Sequence, residues 1–436
     1  MDLQTEITVV GGGLAGAEAA YYLAKRGYNV TLKDIKPKKF TPAHHSEKYG
    51  ELVCSNSLKS DDVYGNACGL LKQEMRVLGS MIIACADDTK VPAGNALAVD
   101  RELFAQEITD KINSCPNIKR VCEEVEEIDF SRPTIIATGP LTTDKLSQFI
   151  KNVTGGFYFF DAAAPIVSAE SIDYAHAFKA DRYGEGEGDY LNCPIDKEGY
   201  DAFYEALITA ERAKLKDFEN AKVFEGCMPV EIMAARGKDT LRFGPLKPVG
   251  LYDPATGKRP YACMQLRKEN AEGTMYNLVG FQTNLTFPEQ KRVFAYFSAL
   301  KNAEFLRYGV MHKNTFINSP SCLDKYFSLK SQPLCFFAGQ ITGVEGYVES
   351  AASGLAAAIN LDLRLQGKDL PDWNNKTVLG ALANYVCTPN ADFQPMNANY
   401  GILSAVEYVG RNKAEKRRII AERALAETEK IKEIIK

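Results

Sequence analysis

Cys54 lies in the stretch ELVCSNSLKS, after the apolar pair Leu52 and Val53 and before a run of small polar residues. A thiol in such a setting can be a small buried hydrophobe, or it can be a nucleophile that reacts as the thiolate. The chain has eleven cysteines, and their spacing contains no C-x-x-C pair. This scatter indicates neither a zinc ribbon nor a disulfide framework, so we expect no metal site. The local sequence alone leaves both roles open for Cys54.

A second stretch with chemical potential is EITVVGGGLAGAEAAYYLAKRGYNVTLKDIKP, close to the first residue. Its pattern predicts a buried strand at 7–10, a helix at 17–26 and a second strand at 29–33. Glycines with the spacing G-x-G-x-x-G permit a tight turn, the approach of a pyrophosphate and close packing of helix on strand. Asp34, at the end of the second strand, can accept hydrogen bonds from ribose hydroxyls. We therefore predict a nucleotide site formed by Gly11, Gly12, Gly13, Leu14, Ala15, Gly16 and Asp34.

Two later stretches favour FAD over NAD(P) as the bound nucleotide. RPTIIATGP, at 132–140, predicts a short strand with a glycine turn after it. PLCFFAGQITGVEGYVESAASGLAAAIN, at 333–360, predicts a strand, a glycine loop and a helix of small residues. In two-lobed FAD proteins such a late unit returns to the first, and its helix N-terminus faces the flavin edge that becomes negative on reduction. We expect further FAD contacts from Thr138, Gly139, Gly339, Gln340, Gly346 and Tyr347.

The organisation of the chain predicts an α/β fold with an insertion. The 436 residues suffice for two or three domains, and the composition is that of a globular protein. The glycine- and acid-rich stretch 181–189 predicts a linker or an exposed turn, and mixed helical and alternating patterns follow it. We expect a Rossmann-like FAD-binding domain in two parts, 1–190 and 326–436, the second with a C-terminal helix. Between them we expect an inserted α+β domain at 191–325.

Charge is distributed unevenly along the chain. Residues 211–320 contain 17 Lys and Arg against 11 Asp and Glu, whereas the whole chain has a formal net charge of −4. A basic middle region is compatible with docking of a polyanion, and equally with an uneven solvated surface. The sequence starts without a basic segment and apolar run of the secretory type, and it has no apolar run of about 18 residues. We expect a cytoplasmic protein that does not enter the membrane.

Several long strings resemble the folate- and FAD-dependent tRNA (uracil-5-)-methyltransferases of bacteria. Among them are TPAHHSEKYGELVCSNSLKS, FEGCMPVEIMAARGKDTLRFGPLKPVGL, NLVGFQTNLTFPEQKRVF and AGQITGVEGYVESAASG, and the resemblance runs from about residue 5 to residue 405. It implies formation of 5-methyluridine at position 54 of the tRNA, in the T loop of the T-arm. It also implies that the carbon comes from 5,10-methylenetetrahydrofolate and the electrons from NADPH or NADH through FAD.

The resemblance further implies that Cys54 and Cys227 are the catalytic thiols. C5 of uracil is a poor nucleophile, and a thiolate that adds at C6 converts it into an enolate that can attack carbon. Gly226 and Pro229 bracket Cys227 and favour an exposed turn, so we assign the attack on C6 to Cys227 and a role beside the flavin to Cys54. The reverse assignment stays open, because both segments match the family equally well. Weaker candidates, for contacts with tRNA phosphates, are Arg267, Lys268, Lys291 and Arg292.

Three other functions remain open at this point. The same chemistry could act on a uracil of ribosomal RNA. A flavin oxidoreductase acting on a small molecule would leave the two thiols and the basic region without a role. A non-catalytic flavoprotein that binds RNA would bind tRNA without methyl transfer. The sequence carries no signal for the oligomeric state, the preferred nicotinamide or the folate contacts.

Overall fold

The structure is a computed structural model that describes residues 5–154, 156–162, 164–184, 188–213, 228–269, 273–309, 311–390 and 393–436, with backbone alone at 156–162 and 312–314. The strands of this part of the chain are, in order, β1 (Glu6–Val10), β2 (Asn29–Asp34), β3 (Ser57–Ser60), β4 (Lys90–Val91), β5 (Ala96–Val99), β6 (Ile118–Cys122), β7 (Thr134–Ile136), β8 (Gly156–Ala162), β9 (Ile166–Ser168), β10 (Phe178–Lys179), β11 (Tyr190–Ile195), β12 (Ala262–Lys268), β13 (Met275–Leu278), β14 (Phe305–Arg307), β15 (Met311–Ile317), β16 (Ser328–Leu329) and β17 (Gln332–Phe337). The α-helices are α1 (Leu14–Lys25), α2 (Ala67–Val77), α3 (Met81–Asp88), α4 (Arg101–Ser114), α5 (Asp144–Thr154), α6 (Lys197–Ile208), α7 (Val230–Ala235), α8 (Thr240–Phe243), α9 (Phe287–Phe294), α10 (Ser319–Cys322), α11 (Tyr347–Leu365), α12 (Val378–Cys387) and α13 (Lys413–Ile435).

A six-stranded sheet with the order β16-β17-β7-β1-β2-β6 forms the predicted nucleotide-binding part. The neighbours from β17 to β6 are parallel, whereas β16 runs antiparallel to β17. The carboxyl ends of β1, β7 and β17 therefore lie side by side, although these strands are far apart in sequence. Ligands of open parallel sheets bind at this edge. The observed sheet and the inserted antiparallel domain confirm the predicted fold class.

Helices α1 and α11 pack closely on each other beside this sheet. A Cβ atom at Gly354 of α11 would lie 2.3 Å from the backbone oxygen of Ala15 in α1, so only glycine permits this approach. Helix α1 begins at Leu14, earlier than the predicted 17–26, because the chain leaves its extended conformation directly after Gly13. The first and last parts of the nucleotide domain are thereby held together by direct helix contact.

A second six-stranded sheet, β10-β11-β12-β13-β9-β14, is antiparallel throughout and forms the inserted domain. Its core contains buried aromatic side chains, among them Phe203, Phe281 and Phe297. Strands β8 and β15 pair antiparallel and carry the chain into and out of this domain. Because β9 and β10 belong to the sheet, the insertion begins before the expected residue 191. Strands β10 and β11, which flank the stretch 181–189, pair with each other in the inserted sheet, so this stretch does not separate two domains.

A small antiparallel sheet, β3-β5-β4, begins just after Cys54 and contacts α2 and α3. The C-terminal helix α13 packs on α2, with Ile420, Ala421 and Ala424 buried. Among the residues that the structure describes, no helix combines the length and the apolar character that crossing a bilayer requires.

Candidate active site

A groove opens at the carboxyl ends of β1, β7 and β17. It is open to solvent at its mouth, and residues from both parts of the nucleotide domain form its wall. The predicted residues on its wall are Gly11, Gly12, Gly13, Leu14, Ala15, Asp34, Thr138, Gly139, Gly339, Gln340 and Tyr347. Further wall residues that the sequence did not predict include Lys36, Thr41, His44, Glu51, Glu123 and Ser350. Several of these residues follow β2 in the sequence. Their place directly after Asp34, the predicted ribose ligand, is the signal that could have identified them.

The glycines of the first loop have different physical roles. A Cβ atom at Gly11, where φ is +105°, would lie 2.4 Å from the oxygen of Ala137, and one at Gly16 would lie 1.8 Å from the oxygen of Gly11. A Cβ atom at Gly13 would meet no protein atom within 4 Å, because it would point into the open groove. Gly11 and Gly16 are thus required by the fold, whereas Gly13 leaves space for a ligand at the start of α1. The residues present therefore fit a dinucleotide pyrophosphate.

Asp34 lies at the end of β2 as predicted. Its Oδ2 accepts a hydrogen bond of 2.5 Å from the Gly12 amide, and its Oδ1 accepts one of 2.8 Å from the Lys36 amide. A carboxylate has about four acceptor positions, so two amide donors leave capacity for ribose hydroxyls. Asp34 therefore ties the glycine loop to β2 while remaining on the groove wall.

Gly346 lies beside the groove and does not line it. It precedes the first residue of α11 and has a φ of +121°, a backbone conformation that residues other than glycine rarely adopt. A Cβ atom here would lie 2.2 Å from Oε2 of Glu349. We conclude that Gly346 is needed for the turn that starts α11 and so for the placement of Tyr347.

Cys54 lies at the rim of this groove, in contact with Tyr347. The Tyr347 hydroxyl accepts hydrogen bonds from the amides of Cys54, at 2.7 Å, and Ser55, at 3.3 Å. The same hydroxyl lies 2.9 Å from the Cys54 sulfur. The neighbouring Val53 and Tyr347 itself both line the groove. The structure thus brings a half-buried thiol and the predicted cofactor site together.

The Tyr347 phenol keeps its proton in this position. Burial, followed by the nearby Cys54 thiol, raises the pKa of Tyr347 well above its ordinary value. A neutral phenol that already accepts two amide hydrogens can turn its own hydrogen toward sulfur. The arrangement is therefore suited to a reactive cysteine.

The end of β12 holds the Cys54 loop from the inserted domain. Arg267 donates from Nη2 to Oγ of Ser55 at 2.6 Å and from Nε to Oδ1 of Asn56 at 3.0 Å. Asn56 in turn donates from Nδ2 to the backbone oxygen of Lys268 at 2.8 Å. Arg267 is only 6% exposed, so its position is that of an internal clamp and not of the surface phosphate contact that we expected.

Arg101 fixes the other side of the loop. Its Nη1 donates to the backbone oxygen of Leu52 at 2.8 Å, and its Nη2 forms a 2.6 Å ion pair with Glu269, directly after β12. Arg307, at the end of β14, belongs to the same group of charged residues. Burial lowers the pKa of Arg307, and the nearby positive charge of Arg101 lowers it further. Arg101, Glu269 and Arg307 were not predicted from the sequence, because charged residues scattered over the chain form no motif.

Replacing Arg267 with lysine is expected to loosen the Cys54 loop. Lysine keeps the charge but cannot donate to both partners as the guanidinium fork does. Loss of a hydrogen bond to a charged group costs about 1.5–3 kcal/mol. The loop should therefore be open about ten times as often as in the wild type, or more. Alkylation of Cys54 by iodoacetamide, followed by peptide mass spectrometry, should accelerate accordingly.

The control is Arg182→Lys. Arg182 donates hydrogen bonds to Gln265 and to two backbone oxygens of the same domain, and its replacement should leave the alkylation rate of Cys54 unchanged. Equal alkylation rates in the two variants would show that Arg267 does not hold the loop.

Cys227, the second predicted thiol, lies outside the described residues. The chain that follows it is anchored in the inserted domain: Met228 and Val230 are buried, and the Val230 amide donates to the Gln282 oxygen at 2.7 Å. Glu231 accepts hydrogen bonds from the Thr283 hydroxyl and the Asn284 amide. The role of Cys227 stays a prediction.

The remaining predicted basic residues belong to the inserted domain. Lys268 is half-buried at the end of β12, whereas Lys291 and Arg292 are exposed on α9. Arg292 forms a 2.6 Å ion pair with Glu289, and the Lys291 ammonium lies 5.9 Å from the centre of the Tyr308 ring. Their contact with RNA stays a prediction.

The chain matches known proteins over nearly its whole length. Residues 6–369 match the model of the family described as Glucose inhibited division protein A. A relative from Acetivibrio thermocellus, named methylenetetrahydrofolate--tRNA-(uracil-5-)-methyltransferase TrmFO, is 58% identical over 422 residues, which cover 96% of this chain and 97% of the relative. A relative of the same name from Geobacter sulfurreducens is 55% identical, with 97% of both chains covered.

A solved structure shows that the fold is shared with a known protein. GidA of Aquifex aeolicus, in its form II crystal, superimposes with a TM-score of 0.72, and the match covers 99% of this chain and 73% of that chain. At 15% identity this likeness shows a shared fold. The sequence relatives confirm the resemblance seen in the motifs, and the chain belongs to the Glucose inhibited division protein A family, in which it groups with the TrmFO methyltransferases.

Proposed function

We propose that the chain methylates C5 of a uracil in tRNA with the carbon of 5,10-methylenetetrahydrofolate, and that Cys54 acts beside bound FAD. The observation that carries this proposal is the contact between the Cys54 sulfur and the Tyr347 hydroxyl at the rim of the groove, 2.9 Å apart. It joins a candidate reactive thiol to a site that fits a dinucleotide. Relatives at 54–58% identity carry the name of this reaction, which favours tRNA over ribosomal RNA as the target.

The groove residues would hold FAD in a defined direction. The loop at 11–16 and the start of α1 would bind the pyrophosphate, since amides at a helix N-terminus favour phosphate. Asp34 would bind the adenosine ribose, and the loops at 138–139 and 339–340 with Tyr347 would border the flavin end. Bound FAD supplies the two electrons that convert the transferred methylene carbon into a methyl group. We further propose NADPH or NADH as the source of these electrons, on the strength of the sequence resemblance.

The two thiols would handle the uracil. We propose that the Cys227 thiolate adds to C6, so that the electron pair of the C5–C6 double bond moves into an enolate. C5 then bonds to the methylene carbon as the first of that carbon's two bonds to folate nitrogens breaks, and the second of these bonds breaks when the proton leaves C5. Cys54, with the Tyr347 hydroxyl beside it, would accept the proton that leaves C5. Departure of the Cys227 sulfur from C6 restores the aromatic uracil.

A label-transfer assay tests this function. The purified chain is given tRNA transcript, methylenetetrahydrofolate labelled in the methylene carbon, and NADPH or NADH, without S-adenosylmethionine. We expect label in 5-methyluridine of the T loop, and none in a transcript whose position 54 is cytidine. Transfer to ribosomal RNA fragments in preference to tRNA would change the substrate. Oxidation of the nicotinamide at the same rate without folate or RNA would instead indicate a small-molecule oxidoreductase.

Neutralising Lys291 and Arg292 is expected to weaken tRNA binding and its salt dependence. Each cation that touches a phosphate contributes roughly 0.7–0.9 to the slope of log K against log salt concentration, so the double Gln variant should lose about one to two units. Lys291 should account for most of the loss, because Arg292 already pairs with Glu289. The measurement is a binding titration at several salt concentrations. The exposed Lys368, after α11, provides a control Lys→Gln variant. A slope equal to that of the control would assign both cations to the protein's own surface.

A further inference from the structure

Four aromatic rings of the inserted domain form a stacked column that runs from the core to the surface. Phe294 and Phe305 stack with their ring centres 6.4 Å apart, and Phe305 and Tyr308 stack at 5.3 Å with nearly parallel planes. Tyr308 and Phe287 follow at 4.3 Å and an angle of 15°. Phe294 is fully buried, whereas Phe287 at the outer end is 50% exposed. Half of the Phe287 side chain therefore stays accessible to solvent at the outer end of the stack.

Two elements carry the column: both end rings lie on α9, and the two middle rings lie on β14 or directly after it. Phe287 and Phe294 are the first and last residues of α9, seven positions apart and therefore on one face of the helix. Phe305 belongs to β14, which pairs with β9, and Tyr308 follows this strand. Phe294 anchors the inner end in the hydrophobic core. The outer ring is thus fixed in place before any ligand arrives, which lowers the entropic cost of binding.

A cation accompanies the outer rings. Lys291 lies one helical turn after Phe287 on α9, is exposed, and places its ammonium 5.9 Å from the centre of the Tyr308 ring. The surrounding region 211–320 carries the excess of Lys and Arg over Asp and Glu. Aromatic rings beside cations are the combination by which proteins bind unpaired nucleotides, with stacking for the base and a positive charge for the phosphate.

We propose that Phe287 is the stacking platform for an unpaired base of the tRNA, and that Lys291 holds an adjoining phosphate. The flat face of a base would extend the column by a fifth ring. A base inside a duplex has both faces covered by its neighbours, so the occupant must come from a loop or an end. The positive charge beside the ring favours a polyanion over an apolar protein partner or a second copy of this chain. This inference rests on the proposed function, because it takes tRNA as the ligand.

The test compares variants of Phe287 in binding to a tRNA transcript and to a fully paired, blunt RNA duplex. Phe287→Ala should weaken tRNA binding about five- to one-hundredfold, the range for loss of one stacked base, and leave duplex binding unchanged. Phe287→Leu should lose as much, because it keeps apolar bulk but not the ring, and Phe287→Tyr should bind as the wild type does. Tyr174→Ala is the matched control: Tyr174 is 48% exposed on the same domain and takes part in no ring stack among the described residues. Thermal unfolding and bound FAD verify that each variant is folded.

Three outcomes would overturn the inference. One is tRNA binding by Phe287→Ala and Phe287→Leu at the strength of the wild type. Another is an equal loss for tRNA and duplex RNA, which would indicate general contact instead of base stacking. The third is a change in self-association with unaltered tRNA binding, since the surface would then join two copies of the chain. Label transfer by the wild type separates failure of the proposed function from failure of the stacking platform. If the wild type transfers no label, the proposed function is refuted. If it transfers label and the Phe287 variants bind tRNA as the wild type does, the stacking platform alone is refuted.

Discussion

Replacement of Cys54 by alanine is expected to reduce methyl transfer by orders of magnitude while the protein stays folded and yellow with FAD. The loop around Cys54 is held by its backbone amide on Tyr347 and by the Ser55 and Asn56 side chains on Arg267, and alanine leaves these bonds in place. What alanine removes is the sulfur beside the Tyr347 hydroxyl. Loss of a catalytic group lowers the rate of the chemical step without removing the cofactor.

Cys263 supplies the matched control for this experiment. It is fully buried in the inserted sheet, and burial raises the pKa of its thiol to about 12, so it remains an uncharged thiol. Cys263→Ala should cost about 1 kcal/mol of stability for one small buried group and should retain methyl transfer. The measurements are label transfer, the flavin absorbance of the purified protein and thermal unfolding. Full activity of Cys54→Ala would reduce Cys54 to a packing residue.

The same variants assign the roles of the two thiols when the tRNA contains 5-fluorouracil. Fluorine at C5 cannot leave as a proton does, so the wild type should accumulate a covalent adduct through the attacking sulfur. Cys227→Ala should form no adduct, and Cys54→Ala should still form it. An adduct that persists in Cys227→Ala and disappears in Cys54→Ala would reverse the assignment.

Gly13→Val is expected to abolish stoichiometric FAD binding without unfolding the protein. Gly13 has φ −73° and ψ −169°, a conformation that valine adopts without strain, and a Cβ atom there meets no protein atom within 4 Å. The two methyl groups would therefore enter the groove where the pyrophosphate must approach. The flavin absorbance relative to that of the protein measures the loss, and circular dichroism verifies the fold.

Gly16→Val gives the contrasting result that separates cofactor binding from folding. A Cβ atom at Gly16 would lie 1.8 Å from the Gly11 oxygen, so this variant should be unstable whether or not FAD is present. Gly13→Ala, with a single added carbon, should weaken FAD binding less than Gly13→Val does. Stoichiometric FAD in purified Gly13→Val would show that the pyrophosphate lies elsewhere.

The nucleotide unit could be predicted from the sequence, because its requirements are local. The glycine spacing at 11–16, the flanking strands and Asp34 all lie within about one βαβ unit, and the close contact that requires glycine at position 16 is with Gly11 of the same loop. The late unit at 333–360 followed from the same kind of pattern. The domain boundary did not, because a glycine- and acid-rich stretch has the same composition in a linker as in the connection between β10 and β11.

The residues that surround Cys54 could not be predicted from the sequence. Tyr347 lies 293 positions from it in sequence, and Arg267 lies 212 positions from Ser55, so no local pattern relates them. Charge suggested a surface role for Arg267, but β12 places its guanidinium inside the molecule, where hydrogen bonds to Ser55 and Asn56 compensate its burial. The ring column has the same origin: Phe287 and Tyr308 stack because α9 packs beside the end of β14. Which side chains meet is set by the packing of elements, and packing depends on the whole chain.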